Sequence, residues 1–403
     1  MKNILFILDN YLPNASPNGI CCSKIIDVLN KKYNVFILCF NNTSKKDNVY
    51  IDKIDIIDKK SKFFSKIFMH IKWFDFFSKY PPYARNNVID NLLIKADEMI
   101  VTHNIDMVIA VHLPIESIIV GSILKEKFSN VIFVSYMLDS FSGGMLPKFV
   151  PKSISRSNRL RWEDNLLKSY DKIFLMNSSK NHHEKYSKNS KWISNALFVD
   201  IPLLEKKALL NSNKCINNKK IKMLYAGSLD KSVRDPSTII KVLDLLKDNN
   251  FYCEFIGNCS CKDEFGELML KYGDRLVFND QVSYKDVEKK IASADILINI
   301  GNLNSNLIPS KIFEYMSYCK PILSTYNYDN EPSLKYLRDY PLSILIDDRE
   351  LISKKELLNK IYFTLNKKIN YNELFNIFEN NVPNYFVKHI DRIFLERENI
   401  KND

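Results

Sequence analysis

Glu314 is the side chain of this sequence best placed to do chemistry. It lies in the stretch 295–325, DILINIGNLNSNLIPSKIFEYMSYCKPILST, where Ile296, Leu297, Ile298 and Ile300 form a short apolar run closed by Gly301. Such a run suits a strand buried on both faces of a parallel sheet. Pro309 stands where a first helical turn tolerates a residue without an N–H, and Pro321 where a helix must already have stopped, so the spacing predicts a helix over 309–319. On it Ser310, Glu314 and Ser317 fall at i, i+4 and i+7 and share one face, while Ile312, Phe313 and Met316 point to the packed side. A carboxylate one turn inside a helix that follows a buried strand can accept ribose hydroxyls while backbone N–H groups face a phosphate. His112 is a second polar group at a strand end. It closes the apolar run 106–111, DMVIAV, with Pro114 and Glu116 just beyond, and a side chain at the C-terminal end of a parallel strand faces the ligand crevice of a doubly wound fold.

The elements that must position these groups follow from periodicity. Residues 4–8 and 35–40 are apolar runs flanking a helix over 20–29, a βαβ opening. Further strand-like runs occupy 131–137 and 172–176. A polar, Asn/Lys-rich stretch, 203–220, reads as a linker. Strands then restart at 221–226, 251–257 and 276–278, with a helix over 283–293 before the stretch that carries Glu314. Two βαβ-type blocks on either side of a linker predict an α/β protein of two doubly wound, Rossmann-like domains facing a cleft.

With 403 residues and 46% hydrophobic content the chain can bury two real cores, which excludes a disordered class. No apolar run approaches the ~20 residues of a spanning helix, and the opening MKNILFILDN enters a strand without a basic signal-peptide head. The expectation is a cytoplasmic protein whose eight cysteines are reduced thiols. A net charge of +11 favours anionic partners, although free use of Lys and Asn in coding gives the same figure. No helix-turn-helix, RNP or zinc-finger pattern accompanies the charge, so no nucleic-acid partner is expected. His182-His183 is adjacent and Cys259-Ser260-Cys261 closely spaced, and neither pattern suits a metal site. The segment 59–80, KKSKFFSKIFMHIKWFDFFSKY, repeats aromatic and aliphatic residues at three- and four-residue spacing among lysines. It reads equally as an interfacial helix on an anionic membrane surface, the inner face of the cell membrane, or as a helix packed on the N-terminal domain.

The run Pro309-Ser310-Lys311-Ile312-Phe313-Glu314-Tyr315-Met316, followed by Lys320-Pro321-Ile322, resembles the donor-site signature of GT-B glycosyltransferases of family 4, especially bacterial surface-polysaccharide enzymes. That family commonly has two glutamates separated by seven residues, the first toward the donor sugar and the second on the nucleotide ribose. Glu314 fits the second. Asn306 occupies the first, where an amide can bond a hydroxyl but brings no charge, and Cys319 stands where the family usually has Gly before Lys-Pro. The resemblance implies that Gly227-Ser228 lets backbone approach the diphosphate and that a nearby cation offsets charge on the departing nucleotide. Arg234 is the first choice because its fork can hold phosphate bidentately, and Lys231 the second. Of the family's Gly-rich first loop only Asn18-Gly19 remains. The loop after 131–137 in that family often carries a histidine beside the reacting centre; here Asp139 lies near that position, so either Asp139 or His112 does the polar work.

By the same resemblance, 1–202 is an acceptor-binding domain, 221–383 a nucleotide-sugar-binding domain, and 384–403 a helix crossing back to the first. The implied reaction moves a sugar from a UDP- or GDP-sugar to a saccharide or polyprenyl-linked acceptor in surface polysaccharide synthesis, with retention and without metal or added cofactor. A catalytically silent sugar-nucleotide-binding or scaffold protein of the same fold is the competing class. An NAD-dependent enzyme is disfavoured by the missing GxGxxG.

Overall fold

The computed structural model describes residues 1–13, 15–40, 50–54, 78–144, 150–207, 220–303, 308–350 and 352–402. The chain divides into two compact units, Met1–Pro202 with Pro383–Asp403, and Leu203–Val382. Each contains one sheet, and every strand pair in both sheets is parallel.

The first sheet is built from β1 (Asn3–Ile7), β2 (Asn34–Phe40), β3 (Tyr50–Ile54), β4 (Met107–His112), β5 (Ile132–Met137), β6 (Lys172–Met176) and β7 (Ala196–Val199) in the order β3-β2-β1-β4-β5-β6-β7. β4 and β5 are buried along their whole length, as mainly apolar strands are when helices cover both faces. The closing helix, Pro383–Asn402, belongs to this unit. Phe386 on it packs against Tyr136 and Phe174, with ring centroids 4.8 and 4.6 Å away, and Asp391 accepts from the Tyr33 hydroxyl at 2.6 Å.

The second sheet runs β10-β9-β8-β11-β12-β13, from β8 (Ile221–Ala226), β9 (Phe251–Ile256), β10 (Leu276–Asn279), β11 (Ile296–Ile300), β12 (Ile322–Tyr326) and β13 (Ser343–Asp347). Leu203 and Leu204, at the start of the polar stretch 203–220, are buried here, and the Leu204 N–H donates to the Asn381 carbonyl at 2.9 Å.

In each sheet the chain order reverses once, between β1 and β4 and between β8 and β11. Parallel strands end on the same edge, so the loops leaving the two central strands splay apart there and leave a crevice. Glu314, Arg234 and Gly227 belong to loops or helices that leave β8 and β11; His112 ends β4, Gly19 follows β1, and Asp139 follows β5, the next strand along. The segment 59–77 and Asn306 lie outside the described residues.

Candidate functional site

In the second unit the helix after β11 spans Lys311–Ser317, two residues shorter at each end than its sequence spacing predicts. The Ser310 side chain makes no capping bond. After the helix the backbone of Cys319 turns to φ +50°, the left-handed conformation that favours glycine. Ile312 through Ser317 are all buried, so the face that was expected to be polar is a packed one. Ser317 accepts from the Glu205 N–H at 3.0 Å and donates to the Phe313 carbonyl at 2.8 Å, a packing role. Tyr315, which sequence reasoning passed over, fixes the helix: its hydroxyl accepts from the Ala226 N–H at 3.0 Å, locking the turn to the last residue of β8.

Glu314 is 7% exposed, with one oxygen 3.1 Å from the Lys311 ammonium. Its other oxygen, Oε1, is buried and has no hydrogen-bond partner. A bare carboxylate oxygen out of water costs on the order of 1–3 kcal/mol unless a donor reaches it. The Tyr284 hydroxyl stands beside this carboxylate and is held well above the usual phenol range first by burial, then by the Glu314 charge and by its hydrogen bonding to Glu314, while Oε1 keeps no partner at hydrogen-bond distance.

Gly227 continues β8, its N–H donating to the Ile256 carbonyl at 2.9 Å. A Cβ there would meet nothing closer than the Tyr225 hydroxyl at 3.6 Å, so the Cα is open on that side. The glycine that the geometry requires is Gly257, at φ +123°, where a Cβ would fall 2.5 Å from the Gly227 carbonyl oxygen. The exposed Ser228 offers its carbonyl to both Arg234 Nη1 and the Tyr225 hydroxyl, each at 2.9 Å. Lys231 is exposed and engaged with Glu264 at 2.8 Å, whereas among the described residues no carboxylate pairs with Arg234. This difference favours Arg234 as the cation left for a ligand.

The loops leaving β8 and β11 are tied together by the Leu303 N–H, which donates to the Val233 carbonyl at 2.8 Å. Beneath them Glu331, 2% exposed, accepts from the Asn302 N–H at 3.2 Å and the Ser333 N–H at 2.9 Å, as well as from the Ser333 hydroxyl. Burial pushes its carboxyl up. A Cβ on Gly301 would sit 3.0 Å from Glu331 Cγ, so glycine is what lets the carboxylate under the loop. Lys320 donates to the Ala292 and Ala294 carbonyls, neutralising the C-terminal end of the helix Tyr284–Ser293.

In the first unit His112 is 4% exposed, and burial lowers its imidazole to about 4. Its Nδ1 lies 3.0 Å from the Asp139 carbonyl oxygen. A carbonyl only accepts, so Nδ1 carries the proton and Nε2 keeps its lone pair. The Asp139 carboxyl is pushed up by burial. The structure therefore brings His112 and Asp139 together through main chain, at the ends of adjacent strands. Gly19 sits inside the helix Pro17–Leu29, and its missing Cβ makes room for the Asn10 carbonyl oxygen, 2.1 Å from where that carbon would be. Its N–H donates to Ser16, which in turn donates to the half-buried Asp9.

Beneath the loop that carries Asp139 lies a polar network. Glu163, 1% exposed, accepts from the Ser142 N–H at 3.2 Å and from the Ser142 hydroxyl at 2.7 Å. The Ser142 oxygen is 2.9 Å from His182 Nε2, and Ser140 Oγ is 3.3 Å from His183 Nε2. Burial raises Glu163 to about 7 and lowers His182 to about 4 and His183 to about 3. Adjacency of the histidines excludes a shared helix face, as expected, yet each ring reaches its own serine. The i, i+4 pair Arg159 and Glu163 in SNRLRWED was the available signal for this network. Among the described residues no group of three or more His, Cys, Asp or Glu side chains is arranged to hold a metal ion, and no helix is long and apolar enough to cross a membrane.

Comparison with known proteins acts at the level of fold. The structure matches sucrose-phosphate synthase from Thermosynechococcus elongatus with a TM-score of 0.63 at 11% identity, covering 98% of this chain and 99% of that one. It matches Anabaena HepE in complex with UDP and glucose at 0.61 and 13%, covering 98% and 100%. The fold is GT-B. The lipopolysaccharide outer core galactosyltransferase WaaB is a third GT-B match, with a TM-score of 0.54 and 14% identity over 98% of this chain and 99% of that one. No protein-family model matches the sequence, and no curated protein matches it. The two sheets with Rossmann strand order are the two domains of the GT-B fold, and the loops described above leave their switch points and the adjoining strand end.

Proposed function

We propose that this chain is a glycosyltransferase that uses a UDP- or GDP-sugar, with the nucleotide on the second unit and the acceptor saccharide on the first. The observation that carries the reading is the bare, buried Oε1 of Glu314 on a helix locked to β8 by Tyr315. A ribose hydroxyl is the donor this oxygen lacks. Arg234 meets the charge on the departing diphosphate, and Gly227 and Ser228 leave backbone open for its approach, as the likeness to UDP-binding GT-B structures supports. Ser310 and Lys311 flank the same ligand, and Asn306 contributes an amide to the sugar. In the reaction the bond between the anomeric carbon and the diphosphate breaks while the acceptor oxygen bonds that carbon. With retention, the acceptor proton passes to the leaving phosphate on the same face. His112 and Asp139 orient the acceptor hydroxyl or the sugar.

For the acceptor, the lysine- and aromatic-rich segment 59–80 and the +11 net charge support a polyprenyl-linked saccharide reached at an anionic membrane, as in surface polysaccharide synthesis. Titration calorimetry with UDP and GDP tests the core of the reading. Glu314→Ala is expected to weaken the preferred nucleotide by about tenfold or more, on the order of 1–3 kcal/mol, in a protein whose circular dichroism shows it still folded. Equal affinity in the two proteins overturns the assignment. Asn306 in place of the family's first glutamate favours one second reading, a nucleotide-sugar-binding protein without turnover. Release of free sugar from a radiolabelled donor separates the two.

A further inference from the structure

Cys259-Ser260-Cys261 follows β9 and Gly257, and it borders the loop that begins at Gly227. Cys259 forms an isolated parallel bridge with Leu229. The Leu229 carbonyl accepts from the Ser260 N–H at 3.0 Å and from the Cys261 thiol at 3.8 Å, and the Leu229 N–H donates to the Asn258 carbonyl at 2.8 Å. The two sulfurs are 3.9 Å apart. Cys259 is half-buried, whereas Cys261 is buried, with burial raising its thiol to about 12. An incoming reagent therefore meets Cys259 first, and Cys261 stands directly behind it.

We propose that Cys259 and Cys261 form a redox site, a dithiol that closes reversibly to an intramolecular disulfide and thereby loosens the loop anchored at Leu229. The Cys259 thiolate attacks a low-molecular-weight disulfide RSSR, forming a Cys259–S–S–R bond and releasing one RS⁻. Cys261 gives its proton to the released RS⁻ and attacks Cys259 Sγ, forming the internal bond and breaking the Cys259–S–S–R bond, which releases the second RS⁻. The two thiol protons end on the two released thiols, so the protein is oxidised by two electrons and RSSR is reduced to 2 RSH. Closure draws the sulfurs to about 2.05 Å and removes the Cys261 S–H that now donates to Leu229. The dithiol can close whether or not the chain binds a nucleotide-sugar, because the cysteines need only each other and RSSR.

The test incubates the full chain with oxidised glutathione, quenches it in acid, alkylates remaining thiols and digests for mass spectrometry. In the parent, the peptide holding both cysteines is expected to lose two hydrogens and to regain them with dithiothreitol. Cys261→Ser should instead hold a stable glutathione adduct on Cys259, and Cys259→Ser should leave Cys261 open to alkylation only after denaturation. A parent that keeps both thiols alkylatable, or that accumulates the adduct as Cys261→Ser does, overturns the site. Hydrogen exchange tests the coupling: oxidation should speed the Leu229 and Ser260 amides by about threefold or more, and unchanged exchange in a fully oxidised sample overturns the link to the loop.

Discussion

The two sheets share one strand order, yet the loops at their C-terminal edges are held by opposite means. After β8 and β11 the loops are tied mainly by main-chain bonds, Leu303 to Val233 and Gly227 to Ile256, with one buried carboxylate, Glu331, underneath and cations left near the surface. After β4 and β5 the support is buried side chains pushed toward neutrality: His112, held to the Asp139 carbonyl, and the network of Glu163, His182 and His183. The first arrangement keeps charge available for an anion. The second supplies polar groups held near neutrality beside the Arg159 guanidinium, the kind that orient a hydroxyl.

The sharpest way to break this contrast is to remove Glu331, the carboxylate beneath the second unit's loops. Glu331→Ala leaves the Asn302 and Ser333 N–H groups buried without acceptors, and is expected to cost about 3 kcal/mol in urea unfolding followed by circular dichroism. All three tryptophans lie in the first unit's sequence, at 73, 162 and 192, so tryptophan fluorescence should report an unmoved transition. A shift of both signals together would show that the two units unfold as one.

The next effect belongs to the first unit. Glu163 titrates near 4.5 when unfolded and at about 7 when folded, so the native state binds more protons between those values and its stability falls as pH rises through them. The buried histidines act in the other direction, losing stability as pH falls from about 6.5 toward about 4. Glu163→Gln removes only the first trend. Relative to the parent it should gain on the order of 2–3 kcal/mol between pH 4.5 and 7.5, read by tryptophan fluorescence; a pH-independent difference would mean that Glu163 stays ionised throughout.

Arg234→Ala examines whether the second unit's cation serves the ligand and not the fold. Because Arg234 is half-exposed and bonded to the Ser228 carbonyl, stability should move by less than about 0.5 kcal/mol. Turnover of the nucleotide-sugar should fall by about tenfold or more while affinity for the free nucleoside holds. Equal kinetics would pass the role to Lys231, which the structure engages with Glu264. The smallest effect is at Cys319: in its left-handed conformation Cys319→Gly should raise thermal stability by about 0.5–1 kcal/mol, and a loss would show that thiol packing outweighs backbone strain there.

The helix that carries Glu314 was legible because its parts lie within one contiguous stretch. Pro309, Glu314 and Pro321 bracket a short helix, and the apolar run before Gly301 names its strand, so local periodicity was enough. Even there, the lock from Tyr315 to Ala226 was hidden, because a hydroxyl's partner 89 residues away leaves no mark on local spacing. The role of Gly257 was hidden for the same reason: it makes room for the carbonyl of Gly227 on a neighbouring strand.

Sequence alone determined the alternation of apolar runs and amphipathic helices, and with it two parallel α/β units whose strand ends carry His112, Gly227 and the approach to Glu314. Those are properties of residues near one another in the chain, fixed by side-chain period and by the backbone limits of proline. Only the tertiary structure decided which polar groups lose water and which partners they find. Burial pushed His112 and Glu163 toward their neutral forms, left one oxygen of Glu314 without a partner at hydrogen-bond distance, and set Cys259 against Cys261 beside Leu229. Desolvation and hydrogen bonding depend on what packs above a group in space, and that neighbour is chosen by the whole fold.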